Sequence, residues 1–155
     1  DTVPVSTADW KTYQNVKDGY EVSYPSNWKV DEHSNFAPPD AIGIAIKDSQ
    51  KWGISIYNFG NVSDKEYGTL SILENAYRDK VFVFDSLETI MVAGYPATLY
   101  IVKDPKDVQM GYPVDIAIKV NGQVINITGF MNNSKEKDQF VSLFKEILST
   151  FKFLK

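Results

Sequence analysis

Apolar and polar residues alternate along several short stretches of the chain, as expected for half-buried β-strands. In the clearest case, Tyr20, Val22 and Tyr24 alternate with Glu21 and Ser23 and so share one face. Turn-forming residues separate the stretches, and a short polar connection joins the third to the fourth as a hairpin. The predicted strands cover residues 10–13, 20–24, 42–46, 52–57, 87–92 and 96–103.

The strongest local signal is a hairpin within residues 112–130. Asn121-Gly122 is the preferred two-residue loop because both positions tolerate a positive φ angle. With that loop, the register pairs Val120 with Gln123, Ile118 with Ile125, and Ile116 with Ile127, which stacks apolar residues on one side. The other side is mixed, and we expect it to be partly exposed or covered by a thinner layer; it carries Asp115, Ala117, Lys119, Val124, Asn126 and Thr128.

Helical spacing of apolar residues appears twice. A capping-box pattern beginning at Ser63, with apolar residues recurring on one face, predicts a helix over residues 64–80. Near the end of the chain, Asn133 and Glu136 form a plausible cap for a second helix that must cover the sheet. Its apolar positions are Phe140, Leu143, Phe144, Ile147, Leu148 and Phe151. Residues 31–40 contain two prolines and predict a surface loop.

Size and charge limit the class of protein. The 155 residues, 43% of them hydrophobic, fit a single domain whose core needs no disulfide. The formal net charge is −4, and the 16 Lys and Arg residues form no basic run, so we do not expect a nucleic-acid partner. The absence of cysteine excludes thiol catalysis and thiolate metal sites. No apolar stretch reaches the roughly 20 residues of a transmembrane helix.

Three segments resemble bacterial PsbP-like domains, the relatives of the extrinsic photosystem II protein. The first is Trp10-Lys11-Thr12-Tyr13 and the second runs from Gly19-Tyr20 to Tyr24-Pro25-Ser26-Asn27-Trp28. The third is the closing run from Ile147 to Phe153. Together they extend the resemblance over nearly the whole chain, but the matched positions are core and turn residues, which specify a fold more than a function.

The resemblance implies an α+β fold, an α/β/α sandwich with a central antiparallel sheet flanked by helices. It also implies an exported or lipid-anchored bacterial protein. We expect residues 1–9 to form a flexible leader, with a possible lipid anchor upstream of residue 1, and residues 10–155 to form a single PsbP-like domain. The photosynthetic members help to retain manganese and calcium at the oxygen-evolving centre. This chain has no long basic N-terminal segment of the kind that those members use for docking.

Candidate chemistry is sparse. The single histidine, His33, lies in the predicted loop beside Asp31 and Glu32, without the Gly-x-Ser-x-Gly motif of a nucleophile elbow. These three residues offer metal ligands, but consecutive residues rarely converge on one ion. Residues 104–107 and 61–64 are rich in oxygen donors but lack the EF-hand spacing. We therefore assign no residue as catalytic, cofactor-binding or metal-binding, and we expect no cofactor.

A face with Tyr57 and Phe59 either packs beneath a helix or, if exposed, binds a glycan or protein. The leading hypothesis is a non-catalytic extracytoplasmic module that binds a protein or envelope component and is not an enzyme. Two alternatives stay open. One is calcium- or manganese-assisted assembly, as in the photosynthetic relatives, and the other is a hydrolase that uses paired carboxylates.

Overall fold

Two antiparallel sheets and one long helix form the described part of the protein. The structure is a computed structural model that describes residues 7–34, 43–48, 52–61, 84–102, 114–132 and 134–154. The strands are β1 (Lys11–Asn15), β2 (Tyr20–Tyr24), β3 (Lys29–Ser34), β4 (Gly43–Lys47), β5 (Trp52–Asn61), β6 (Phe84–Val92), β7 (Tyr95–Val102), β8 (Val114–Val120), β9 (Gln123–Met131) and β10 (Lys152–Phe153). The helix α1 spans Lys137–Ser149, and short 3-10 turns span Thr7–Asp9 and Ser134–Glu136.

The larger sheet has seven strands in the order β3-β4-β5-β9-β8-β7-β6. Two meanders compose it, β3 to β5 and β6 to β9, and they join where β5 pairs with β9. The predicted register of the β8–β9 hairpin is confirmed, with Val120 opposite Gln123 and Ile116 opposite Ile127. Asn121 and Gly122 both adopt positive φ, 50° and 85°, as that two-residue loop requires.

The smaller sheet, β1-β2-β10, packs with α1 over one face of the larger sheet. This inner face supplies alternate apolar residues from its strands, among them Ile46, Ile54, Ile116 and Ile127, none more than 1% exposed. From α1, Phe140, Phe144 and Ile147 are each 0% exposed, which confirms that this helix covers the sheet. The core therefore lies between the inner face on one side and α1 with the smaller sheet on the other.

A glycine lets α1 approach the sheet closely. A Cβ atom placed on Gly129 of β9 would lie 2.7 Å from the Phe140 ring and 2.9 Å from Cγ2 of Val114. Real Cβ atoms do not approach other atoms so closely, so this position accepts no side chain at the present helix–sheet distance.

Thr150, the residue after α1, joins the helix to the smaller sheet. Its Oγ1 accepts the backbone N–H of Ser23 in β2 at 2.9 Å and donates to the carbonyl of Ile147 at 2.7 Å. One hydroxyl thus satisfies a helix-end carbonyl and a strand amide that are far apart in sequence.

The outer face of the larger sheet is largely buried along the β8–β9 hairpin, in agreement with the predicted alternative of a covering layer, and it is exposed along edge strand β6. Asp115 Oδ1 accepts from Thr128 Oγ1 at 2.7 Å and from Asn126 Nδ2 at 3.0 Å. These three side chains are at most 3% exposed. Tyr57, on the same face, is 3% exposed, so the predicted alternative of an exposed aromatic binding face on β5 is wrong.

Several element predictions need correction. Residues 31–34 belong to edge strand β3 rather than to a loop, and α1 ends at Ser149, so that Lys152–Phe153 form β10. Glu136 occupies the N-cap position of α1 and makes no side-chain cap hydrogen bond, whereas Asn133 lies outside the described residues. The helix predicted over residues 64–80 also lies outside them. The antiparallel sheet is confirmed, but the described residues form two sheets with one α-helix over one face of the larger, so the predicted α/β/α sandwich flanked by helices is supported only in part.

Candidate functional site

Tight turns from both sheets meet at one end of the protein, which we call the hairpin end. It comprises the β1–β2 turn with Gly19, the β6–β7 turn with Ala93 and Gly94, and the β8–β9 turn with Asn121 and Gly122. All of these residues have positive φ. The β5–β9 register places the end of β5 at the hairpin end as well, because Asn61 pairs with Gln123, the residue directly after the β8–β9 turn. Binding residues often lie on such turns, held by a rigid sheet scaffold.

Amide side chains connect the smaller sheet to the larger one at this end. Asp18 accepts from Asn15 Nδ2 at 2.8 Å and from Asn58 Nδ2 at 3.2 Å, and Asn58 Nδ2 lies 3.3 Å from Gln123 Oε1. In addition, the backbone N–H of Leu154 donates to the carbonyl of Gly19 at 2.8 Å. This network fixes the position of the β1–β2 turn relative to the β8–β9 turn.

A cleft of about 250 Å³ opens between these two turns, where the sheets meet. Its apolar floor is formed by Val120, Ile125 and Phe153. A polar rim surrounds the floor and includes Lys17, Asp18, Asn121 and Gln123. The two charged rim residues are adjacent in sequence and opposite in sign, so their formal charges cancel at neutral pH.

Aromatic rings form a continuous row that passes through the floor of this cleft at Phe153. Tyr20 packs on Phe151 at a centroid distance of 5.7 Å, Phe151 on Phe153 at 6.4 Å, and Phe153 on Tyr95 at 5.3 Å with the rings edge to face. Tyr20 is 1% exposed and belongs to the core, whereas Phe153 is only partly buried. Aromatic contacts therefore connect the core at Tyr20 with the floor of the cleft at Phe153.

Large apolar side chains are exposed close to the same end. Val16 in the β1–β2 turn is 78% exposed, and Met91, two residues before the β6–β7 turn, is 63% exposed. Leu87 is 46% exposed and lies four residues earlier on the same face of β6, farther from the hairpin end. Among the described residues these are the three exposed large hydrophobic side chains.

Comparison with known proteins adds information on the fold. No protein-family model and no curated protein sequence matches the chain. A solution structure of cyanobacterial PsbP (CyanoP) from Synechocystis sp. PCC 6803 superposes with a TM-score of 0.58 at 18% sequence identity. The match covers 99% of this chain and 97% of that one.

The chain has the PsbP-like fold. At this identity the PsbP match establishes the architecture and leaves the function to be argued from the surface. Along the described part of this PsbP-like chain, no helix is long and apolar enough to cross a membrane.

The residues considered as metal ligands lie on edge strand β3 and are not among those that line this cleft. His33 is part of that strand rather than of the predicted loop. Glu32 Oε1 accepts from Tyr13 Oη at 3.1 Å. Burial, together with this hydrogen bond and the nearby carboxylate charge, raises the pKa of Tyr13 to about 12. Among the described residues, no three His, Asp or Glu side chains are grouped so that they could hold a metal ion.

Two oxygen-rich segments, residues 61–64 and 104–107, were considered for calcium binding, and only the first residue of the first segment is described. Asn61 is exposed at the end of β5, whereas residues 62–64 and 104–107 lie outside the described residues. The expectations that no cofactor binds and that no residue is catalytic stay predictions.

The cleft was not anticipated from the sequence, although its turns were. Asp18-Gly19 and Asn121-Gly122 have recognisable turn chemistry, but nothing local shows that turns more than a hundred residues apart will face each other. One retrospective signal is Val16, an apolar residue placed among turn-forming residues.

Proposed function

We propose that this protein is a non-catalytic binding and assembly module of the bacterial envelope, and that it docks a partner protein through its hairpin end. The supporting observation is the combination at this end of a cleft between two hydrogen-bonded turns with two strongly exposed apolar side chains, Val16 and Met91. Strongly exposed apolar residues and a preformed cleft with a polar rim are each typical of protein interfaces, and here both lie at the same end of the larger sheet.

Rigidity supports docking at this end. The Asn15, Asp18, Asn58 and Gln123 network holds the two cleft-forming turns together without the partner. A surface that is already ordered loses little conformational entropy on binding, so more of the contact energy appears as affinity.

An extracytoplasmic location is part of the proposal and rests on the PsbP-like fold together with the sequence resemblance. It is tested by fractionating the source bacterium and probing each fraction with an antibody to the protein. Recovery in the cytoplasmic fraction would contradict it.

The docking surface is tested by capturing partners from envelope extract on immobilised protein. We expect the double substitution of Val16→Glu with Met91→Glu to reduce recovery of the specific partner to about a tenth or less, because buried apolar contacts at an interface become buried unpaired charges.

Leu87→Glu is the matched control. It makes the same chemical change on β6 but lies farther from the hairpin end, so recovery should stay within about twofold of the unmodified protein. Circular dichroism must show that all variants are folded. Equal recovery with the double variant and the unmodified protein would reject docking through the hairpin end. Turnover of a substrate that a single side-chain substitution abolishes would reject the non-catalytic role.

A further inference from the structure

We propose that the cleft at the hairpin end receives one aromatic side chain with a polar tip, a tyrosine or a tryptophan, from the partner protein. This inference rests on the proposed function and specifies what the docking surface recognises.

The volume of the cleft limits what it can hold. Sites for drug-sized ligands and cofactors usually enclose about 300–1,000 Å³. At about 250 Å³ the cleft is below that range and suits a single large side chain of a partner. Anchor residues that fill such pockets at interfaces are enriched in tryptophan, tyrosine and arginine.

The charge of the rim disfavours arginine. Lys17 and Asp18 are neighbours on the rim and cancel each other formally, so the cleft offers no net negative charge to a guanidinium group. A neutral side chain avoids both the repulsion from Lys17 and the cost of removing a cation from water.

The floor of the cleft favours a ring over an aliphatic chain. Phe153 is a partly buried member of the aromatic row that begins in the core at Tyr20. It already makes an edge-to-face contact with Tyr95 at 5.3 Å. A further ring on the floor would extend this packing with the same favourable geometry, which aliphatic side chains cannot reproduce.

The rim also supplies an acceptor for the polar tip. A carboxylate has about four lone-pair sites, and Asp18 uses two of them for the amides of Asn15 and Asn58. A tyrosine O–H or a tryptophan N–H donates one hydrogen, so it matches the remaining acceptor capacity, and the hydrogen bond would be charge-assisted.

The test is a nuclear magnetic resonance titration of the whole chain with N-acetyl-tyrosinamide as the probe. We expect saturable shifts of the backbone amides of Gly19, Gly122 and Leu154, with a dissociation constant of about 1 mM or weaker for so small a ligand. N-acetyl-leucinamide and N-acetyl-argininamide should bind at least about threefold more weakly. Absence of saturable shifts at these amides, or equal binding of the three probes, would overturn the inference.

Two substitutions check the roles of the floor and the rim. Phe153→Leu should weaken tyrosinamide binding about threefold to tenfold, whereas Phe59→Leu, a matched change of a half-buried phenylalanine on β5, should leave it within about twofold. Lys17→Glu changes only an exposed residue and should strengthen argininamide binding relative to tyrosinamide. Unchanged binding in a folded Phe153→Leu protein, or an unchanged probe preference in Lys17→Glu, would contradict the inference.

The two proposals fail separately. If the double substitution at Val16 and Met91 abolishes partner capture but tyrosinamide does not bind, the aromatic anchor is rejected and docking at the hairpin end stands. If tyrosinamide binds at the cleft but capture is unaffected, the docking surface is rejected and the ligand preference of the cleft stands.

Discussion

A tyrosine hydroxyl and a carboxylate join the smaller sheet to the edge of the larger one. Tyr13 Oη on β1 donates to Glu32 Oε1 on β3 at 3.1 Å, and the Tyr13 ring lies 6.4 Å from that of Tyr20. Burial raises the pKa of Tyr13 to about 12 and that of Tyr20 well above its ordinary value. Both phenols therefore keep their protons in the folded protein at pH values where an unfolded chain loses them.

The higher tyrosine pKa in the folded protein than in the unfolded chain predicts that the protein loses stability at alkaline pH. The folded pKa of Tyr13 exceeds the ordinary value of 10.0, so its contribution is fully present below about pH 10 and is lost as the pH rises toward 12. Tyr13→Phe removes this titration, and its free energy of unfolding should fall less steeply above pH 10 than that of the unmodified protein. Urea unfolding across this pH range measures both slopes.

Glu32→Gln is the companion variant. It removes the carboxylate charge that helps to raise the pKa of Tyr13, so the tyrosinate absorbance of this residue should appear at lower pH. Equal alkaline slopes for Tyr13→Phe and the unmodified protein would show that this phenol does not set the pH dependence.

At the scale of single elements, the sequence predicts local structure well where one chemical signal dominates. The β8–β9 register follows from Asn121-Gly122, because a one-residue shift would turn the isoleucines away from the core. Strand β3 was not predicted because Asp31 and Glu32 interrupt the alternation of apolar and polar residues. A strand at the edge of a sheet can form without that alternation. The short β10 was missed because Phe151 continues the helical spacing, although it packs in the core beyond the end of α1.

The close contact of α1 with β9 gives a prediction for Gly129→Ala. The added methyl group would meet the fully buried ring of Phe140 and the side chain of Val114, neither of which can move into solvent. We expect a loss of about 1–3 kcal/mol in the free energy of unfolding, measured by urea denaturation.

A double-mutant cycle separates this clash from a change in backbone freedom. Phe140→Leu removes the ring atoms that the methyl group would meet, so the double variant should be more stable than the sum of the single effects predicts, by about 1 kcal/mol. Simple additivity of the two changes would show that contact with the ring is not the cause.

At the scale of the whole molecule, long-range contacts decide what the sequence could not reveal. The placement of the β1–β2 turn at the hairpin end depends on long-range hydrogen bonds such as that from Asn58 on β5 to Asp18, 40 residues apart. Both turns were recognisable individually, yet their juxtaposition follows only from the packing of one sheet on the other. The candidate site was therefore not predictable from local patterns, whereas the PsbP-like fold followed from the resemblance of three sequence segments and is confirmed.

Thr150 provides a test of the link between the smaller sheet and α1. Thr150→Val has nearly the same shape but leaves the Ser23 N–H and the Ile147 carbonyl without this partner. We expect it to lower the free energy of unfolding by about 1–2 kcal/mol. Thr150→Ser keeps the hydroxyl and should stay within about 0.5 kcal/mol of the original. Equal stability of the two variants in thermal or urea unfolding would contradict a role for this hydroxyl.

The union of β5 with β9 has a consequence for the order of folding. Within each meander, neighbouring strands lie close in sequence, so their pairing costs little chain entropy. The β5–β9 pairing must instead close a long loop, and such contacts form late and slow the overall rate. We therefore expect pairing within each half of the larger sheet to precede the joining of the two halves.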